Sequence, residues 1–204
     1  ASGQPIAVPT QDIVLGLYYL TRRKSGAKGE GMRFASMDEV RLALDAGYVE
    51  TQTPIKLRFD GLLIDLESQR DAQDVVNAPL REAKGQTIDT TVGRVIFNDH
   101  LAEGMPFING VMKKAGLQSL VRYCFLRLGH QQTIVLLDNL KDLGFAYATQ
   151  AGISLCVDDL VVPEAKAQLI KQAQKQVLEV EKQVKEGVIT SGERYNKVIE
   201  IWSN

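Results

Sequence analysis

The sequence predicts an α+β chain: a mixed N-terminal part with short strands and a hairpin, a helical middle, and a projecting antiparallel two-helix coiled-coil hairpin. Three observations carry that reading. Ile55 to Phe59 and Leu62 to Leu66 alternate in polarity around Asp60-Gly61, a strand–turn–strand signal. Leu117 to Leu128 and Thr133 to Leu143 repeat apolar residues at helical spacing, and each ends at a glycine, Gly129 and Gly144. From Glu164 to Glu186 there is no glycine or proline, and strong helix formers dominate.

In chain order, Ala1 to Pro9 reads as extended. Thr10 caps a helix whose apolar positions Ile13, Val14, Leu17 and Leu20 lead to the basic cluster Arg22, Arg23 and Lys24. Ser25 to Gly31 (GAKGEG at its centre) reads as a mobile loop and lacks the spacing of a phosphate-binding loop. Ser36 starts a short amphipathic helix closed by Gly47, and the 55–66 hairpin follows. Glu67 to Thr87 is polar and reads as irregular; Thr90 to Phe97 starts a helix or a strand, and its period does not decide which. After the two central helices, Phe145 to Gly152 reads as a turn of small residues and Ile153 to Val157 as a short strand.

The C-terminal stretch is the most explicit. Pro163 suits a first helical turn, and Leu169, Ala173, Val177, Val180 and Val184 form one apolar seam on a polar rod. Gly187 suits the left-handed position that ends a helix, and Thr190 with Glu193 makes a capping box for a second one. Tyr195, Val198, Ile199 and Trp202 would form the return seam. The second arm is the shorter, so the base of the first, around Leu169, is expected to need another partner. A polypeptide cut from a longer one is the expectation that fits.

Composition narrows the function classes. The chain has 204 residues with 24 basic and 25 acidic side chains, so no overall field draws it to nucleic acid or to a membrane. No run approaches the ~20 apolar residues that span a bilayer, and no signal peptide opens the sequence, so a cytoplasmic location is expected. Cys124 and Cys156 have apolar neighbours and are expected to be buried free thiols. Asp158 and Asp159 point apart as consecutive residues, and one is expected to cap the helix near Pro163. His100 and His130 lack metal-ligand spacing beyond Asp99 and suit surface or capping roles. No serine or cysteine nucleophile signature is present. The tip residues Lys185, Glu186, Val188, Ile189 and Glu193 suit a docking point at the end of a rigid arm.

Several segments together resemble one family. They are Val8 to Leu20 (VPTQDIVLGLYYL), Ala27 to Met32 (AKGEGM), Thr90 to Arg94 (TTVGR), Gly144 to Thr149 (GFAYAT), Gly152 to Ser154, Asp158-Asp159, Ile189 to Val198 (ITSGERYNKV) and Trp202. In order and spacing they are similar to the β′ subunit of bacterial DNA-directed RNA polymerase. The resemblance implies a pore (secondary-channel) domain over residues 1–160 and the rim helices of the funnel domain over residues 161–204. It implies the wall and rim of the secondary channel, through which nucleoside triphosphates enter and backtracked RNA 3′ ends leave. Thr10, Gln11 and Asp12 would lie near the active centre. Lys185, Glu186, Gly187, Val188, Ile189, Thr190 and Glu193 would dock Gre-type and DksA-type factors.

Asn196, Lys197 and Asp138 match positions associated with the alarmone ppGpp. Gln131 and Asp142 depart from the lysine and tyrosine of the site near Asp138, which predicts a weak or absent site there. The implied partners are the α, β, ω and σ subunits, with no membrane. The parent enzyme's Mg2+ would be held by an NADFDGD motif absent from this sequence, so the chain is expected to be inactive alone and to carry no cofactor. The competing reading is a free-standing coiled-coil transcription regulator that inserts its tip into a partner's channel. Its only tip carboxylates, Glu186 and Glu193, are split by Gly187 and suit one ion poorly.

Overall fold

Strand alternation from Pro54 onward does not stop at Asp60-Gly61. In the computed structural model, which describes residues 7–67, 74–154 and 156–203, it continues as one strand, β2 (Pro54–Asp65). The expected 55–66 hairpin is therefore corrected: Gly61, at φ 145°, absorbs a register shift after Phe59 instead of turning the chain. The partner is β3 (Leu80–Thr91), antiparallel to both halves of β2, with Leu57 opposite Ile88 and Leu63 opposite Arg81. Leu80 to Thr87 was expected to be irregular, because only Ala83 on that stretch is buried and so little alternation is visible. Two short strands, β1 (Arg33–Phe34) and β4 (Phe107–Asn109), pair with β2 in parallel, at Lys56–Leu57 and at Leu63–Asp65.

The ambiguous 90–97 segment is both things in turn. The strand runs to Thr91, whose hydroxyl accepts from the Arg94 amide at 3.3 Å and starts α3 (Val92–Asp99). Ser36 does the same for α2 (Met37–Asp45), accepting from the Glu39 amide at 3.3 Å, while Glu39 accepts from the Ala35 amide at 2.6 Å. The Ser25–Gly31 segment is a set of hydrogen-bonded turns rather than a free loop: Gly26 N–H donates to Glu30, and Gly31 N–H to the Pro54 carbonyl.

The first helix, α1 (Gln11–Thr21), and the long α4 (Lys114–Ala151) line the other side of the core. Gly129, at φ 83°, breaks α4 into two arms where the sequence ends its first central helix. Gly144 ends nothing. It lies inside the second arm because α1 crosses there, with Gly16 against it, and the helix runs on to Gly152 in the left-handed region. Phe145 to Ala151 is thus helix, not turn, and the described residues between Ile153 and Val157 form no strand. Leu17, Leu20, Leu57, Ile108, Leu120 and Leu140 are fully buried in one cluster, worth roughly 1.5–3 kcal/mol each.

The chain divides into two units between Ile153 and Ser154. In the second unit, Val157–Asp159 forms a 3-10 turn, followed by α5 (Ala165–Lys185) and α6 (Ser191–Ser203), which fold back on each other. Asp159 accepts from the Cys156 amide at 2.9 Å and caps that turn, so neither acidic residue caps α5. Val180 is buried and Ala173, Val177 and Val184 half-buried, as the seam requires, while Leu169 is exposed. The return seam is corrected. Val198 and Ile201 face α5, whereas Tyr195, Ile199 and Trp202 form a parallel stripe left exposed. Two apolar stripes lie side by side on α6, and helix–helix packing has room for only one. Cys156 is exposed, against expectation. Cys124 is buried, and desolvation pushes its thiol up. Residues 1–6, 68–73, 155 and 204 of the segments read from sequence lie outside the described residues.

Candidate functional site

Two places gather the residues singled out by sequence, one in each unit. The first is the start of α1. Thr10 is extended (φ −140°) and its hydroxyl makes no capping hydrogen bond; its carbonyl accepts from the Ile13 amide at 3.2 Å. Gln11 follows at φ 50°, the one non-glycine with positive φ among the described residues. That conformation costs an L-residue about 1–2 kcal/mol, and surrounding structure must impose it. Thr10, Gln11 and Asp12 are all exposed.

The far end of α1 is held by side chains from other elements. Arg94, 1% exposed, reaches out of α3 and donates to the Thr21 carbonyl at 3.1 Å, to Asn109 at 3.0 Å and to Glu67 at 2.6 Å. The Thr21 hydroxyl bonds the Leu17 carbonyl at 2.8 Å and accepts from the Met112 amide at 2.8 Å. Gln52 donates to the Tyr19 carbonyl at 2.7 Å. A guanidinium at the carbonyl end of a helix meets the negative end of its dipole as well as its bare carbonyls. Arg94 stood in the TTVGR segment, yet sequence gave it no role; a lone arginine beside apolar residues is the signal that was available. Of the cations after α1, Lys24 pairs with Glu50 at 3.7 Å, while Arg22 and Arg23 are exposed.

The second place is the turn between α5 and α6. Glu186 donates back to the Lys182 carbonyl, Gly187 (φ 71°) to Val184, and Val188 to Gln183 at 2.9 Å, which closes α5. Thr190 and Glu193 form the capping box reciprocally, amide to carboxylate at 2.8 Å and amide to hydroxyl at 3.3 Å. Between these locks, Val188 stands 68% exposed and Ile189 half-buried. Beside them is an open groove of about 360 Å³ lined by Glu181, Val184, Lys185, Ser191 and Arg194. The Thr190 amide holds the Glu193 carboxyl below its ordinary value of 4.5. A lowered native value means the cap's contribution is full above the unfolded value and is lost as pH falls through the native one. Hairpin helicity is therefore expected to drop on acidification below pH 4.5, and circular dichroism of Glu193→Gln should lack that step.

The alarmone-related positions are divided between the two units. Gln131, Asp138 and Asp142 lie on the second arm of α4, with Lys141 paired to Asp138 at 3.2 Å and to Asp142 at 3.4 Å. Hydrogen bonding to Asp138, then to Asp142, raises the Lys141 pKa. Asn196 is exposed on α6, and Lys197 donates to Gln183 across the hairpin at 3.3 Å. Among the described residues no three His, Cys, Asp or Glu side chains converge as metal ligands. His100 Nδ1 bonds the Ile96 carbonyl at 2.8 Å, and His130 is exposed. No helix among the described residues is long and apolar enough to cross a membrane.

A family model described as RNA polymerase Rpb1, domain 3 matches residues 1–160. Over 206 aligned residues and the whole chain, the sequence is 52% identical to the DNA-directed RNA polymerase subunit beta' of Koribacter versatilis and 44% identical to that of Thermodesulfovibrio yellowstonii. It is 42% identical over 205 residues to the subunit of the same name from Xylella fastidiosa. The chain spans only 13–15% of the length of these relatives.

Proposed function

Since the chain belongs to the RNA polymerase Rpb1 domain 3 family, as a β′-type sequence, we propose that it forms the wall and rim of the secondary channel of a DNA-directed RNA polymerase. In this reading residues 1–160 are the pore domain and residues 161–204 the rim helices of the funnel. The parent enzyme is a nucleotidyltransferase assembled with α, β, ω and σ subunits, and its Mg2+ is bound by residues outside this chain. Thr10, Gln11 and Asp12 face the passage used by nucleoside triphosphates and by a backtracked RNA 3′ end. An exposed amide at Gln11 hydrogen-bonds such a ligand without the cationic grip that would hold a polyanion in place.

The observation that carries the reading is the hairpin tip. Backbone locks at Gly187 and at the Thr190–Glu193 box leave little conformational freedom, yet the apolar Val188 is held out in water. A rigid apolar knob flanked by Lys185, Glu186 and Glu193 costs little entropy to dock, which suits Gre-type and DksA-type factors. Val188→Asp in the assembled polymerase is expected to weaken Gre-type factor binding at least tenfold, with factor-free elongation unchanged. An unaltered affinity would remove the docking assignment. At the α4 positions, the single charge of Lys141 is shared between Asp138 and Asp142, so the cluster stays net negative toward a polyanion. A ppGpp titration of polymerase containing ω is therefore expected to show weak or no binding at that site, and tight binding there would contradict it.

A further inference from the structure

The outer face of the sheet carries three cations on adjacent positions that the channel and docking roles do not use. Arg33 of β1 stands directly opposite Lys56 of β2, and Arg58 is two residues further along the same face of β2. Like charges on neighbouring sheet positions repel, which disfavours the fold unless something else is gained. One compensation is present: Asp89 of β3 pairs with Lys56 at 3.2 Å. Arg33 and Arg58 have no ion-pair partner among the described residues. The Arg58 guanidinium lies over Gly85, where a side chain would meet it at 3.5 Å.

These groups line a pocket of about 320 Å³, together with Phe34, Glu39 and Thr87. The carboxylate of Glu39 accepts from the Ala35 amide at 2.6 Å and offsets one of the three positive charges. The two guanidiniums present forks suited to the oxygens of a tetrahedral anion, and the Thr87 hydroxyl is a neutral donor beside them. We infer that this pocket is a binding site for phosphate esters, with Arg33 and Arg58 as the recognising groups and Lys56 setting the local potential. The inference does not depend on the channel reading.

The test is equilibrium binding to the 204-residue chain of three probes: inorganic tripolyphosphate, a nucleoside triphosphate, and a short single-stranded oligoribonucleotide without terminal phosphates. Saturable binding that weakens with added salt is expected. Tripolyphosphate and triphosphate binding identifies a free phosphate chain as the source; oligoribonucleotide binding identifies the phosphodiester backbone. Arg33→Gln and Arg58→Gln are each expected to weaken the bound probe about tenfold, the scale of losing a charge-assisted hydrogen bond. Both side chains are exposed, so the variants should keep the native circular dichroism spectrum. Arg81→Gln, on β3 but outside the pocket, should bind like the parent. Failure of all three probes to saturate, or binding undiminished in both variants, overturns the site.

Discussion

Replacing Arg94 with alanine is expected to destabilise the first unit by about 3 kcal/mol or more, the scale of baring buried hydrogen-bond partners. The guanidinium is 1% exposed and serves three acceptors from three different parts of the chain: the Thr21 carbonyl, Asn109 and Glu67. Truncation leaves the first two without their donor and opens a cavity among α1, α3 and β4. Glu67 contributes least, because its side chain is 39% exposed and water screens the pair. Arg94→Lys keeps the charge and loses the fork, so it should recover only part of the loss. Glu67→Gln should cost well under 1 kcal/mol, since a half-solvated partner is replaced by another acceptor. Urea denaturation reads all three as midpoint shifts with an unchanged slope. A loss below 1 kcal/mol for Arg94→Ala would show that α1 is fixed by packing alone.

Gly16→Ala is expected to cost about as much, although alanine in place of a helical glycine normally gains up to ~1 kcal/mol. A Cβ at Gly16 would sit 1.9 Å from the Gly144 carbonyl oxygen and 2.7 Å from the Ala148 amide. Those are backbone atoms, so no side chain can swing away and the two helices must separate. Small-to-large changes in packed interiors cost typically 1–3 kcal/mol, and a backbone collision belongs at or above the upper end. Gly144→Ala meets Ile13 Cα and Cγ2 at 2.8 Å from the other side of the same crossing. The double variant should therefore cost less than the sum, because one separation of α1 from α4 relieves both clashes. Strict additivity would mean that the two glycines do not share a contact. Gly192→Ala, on α6 with nothing within 4 Å of the added carbon, should instead raise hairpin helicity slightly.

Features legible in the sequence were those set by nearest neighbours. Thr190 with Glu193 is a cap whose donors and acceptors lie three residues apart, and it forms as read, while Ser36 starts its helix as read. Gly187 and Gly129 end helices because their backbone goes where a Cβ is disfavoured, and Asp60-Gly61 misled for a related reason. Glycine permits a turn or a bulge equally, and only the arrival of β3 along the whole length of β2 selects the bulge. Gly144 misled in the opposite direction: in a sequence it looks like a stop, but its hydrogen atom makes room for another helix.

The candidate sites divide the same way. At the tip, the turn, caps and exposed valine are consecutive, so their arrangement could be read without coordinates. At α1 the residues of its start were legible but the anchor of its far end was not, since Arg94 lies 73 positions from the carbonyl it holds. The exposed stripe Tyr195, Ile199 and Trp202 and the half-buried pair Val198 and Ile201 have indistinguishable spacing, and burial alone separates them.

By itself the sequence determined the α+β class, the helix breaks at Gly129 and Gly187, the α5–α6 hairpin and, through its motifs, the family. Tertiary structure alone decided which glycines turn and which are crossed, which stripe of α6 is half-buried, and what anchors the end of α1. The reason is reach: capping and periodicity act over three or four residues, whereas close approach of backbones and burial of a charge are settled between segments far apart in the chain.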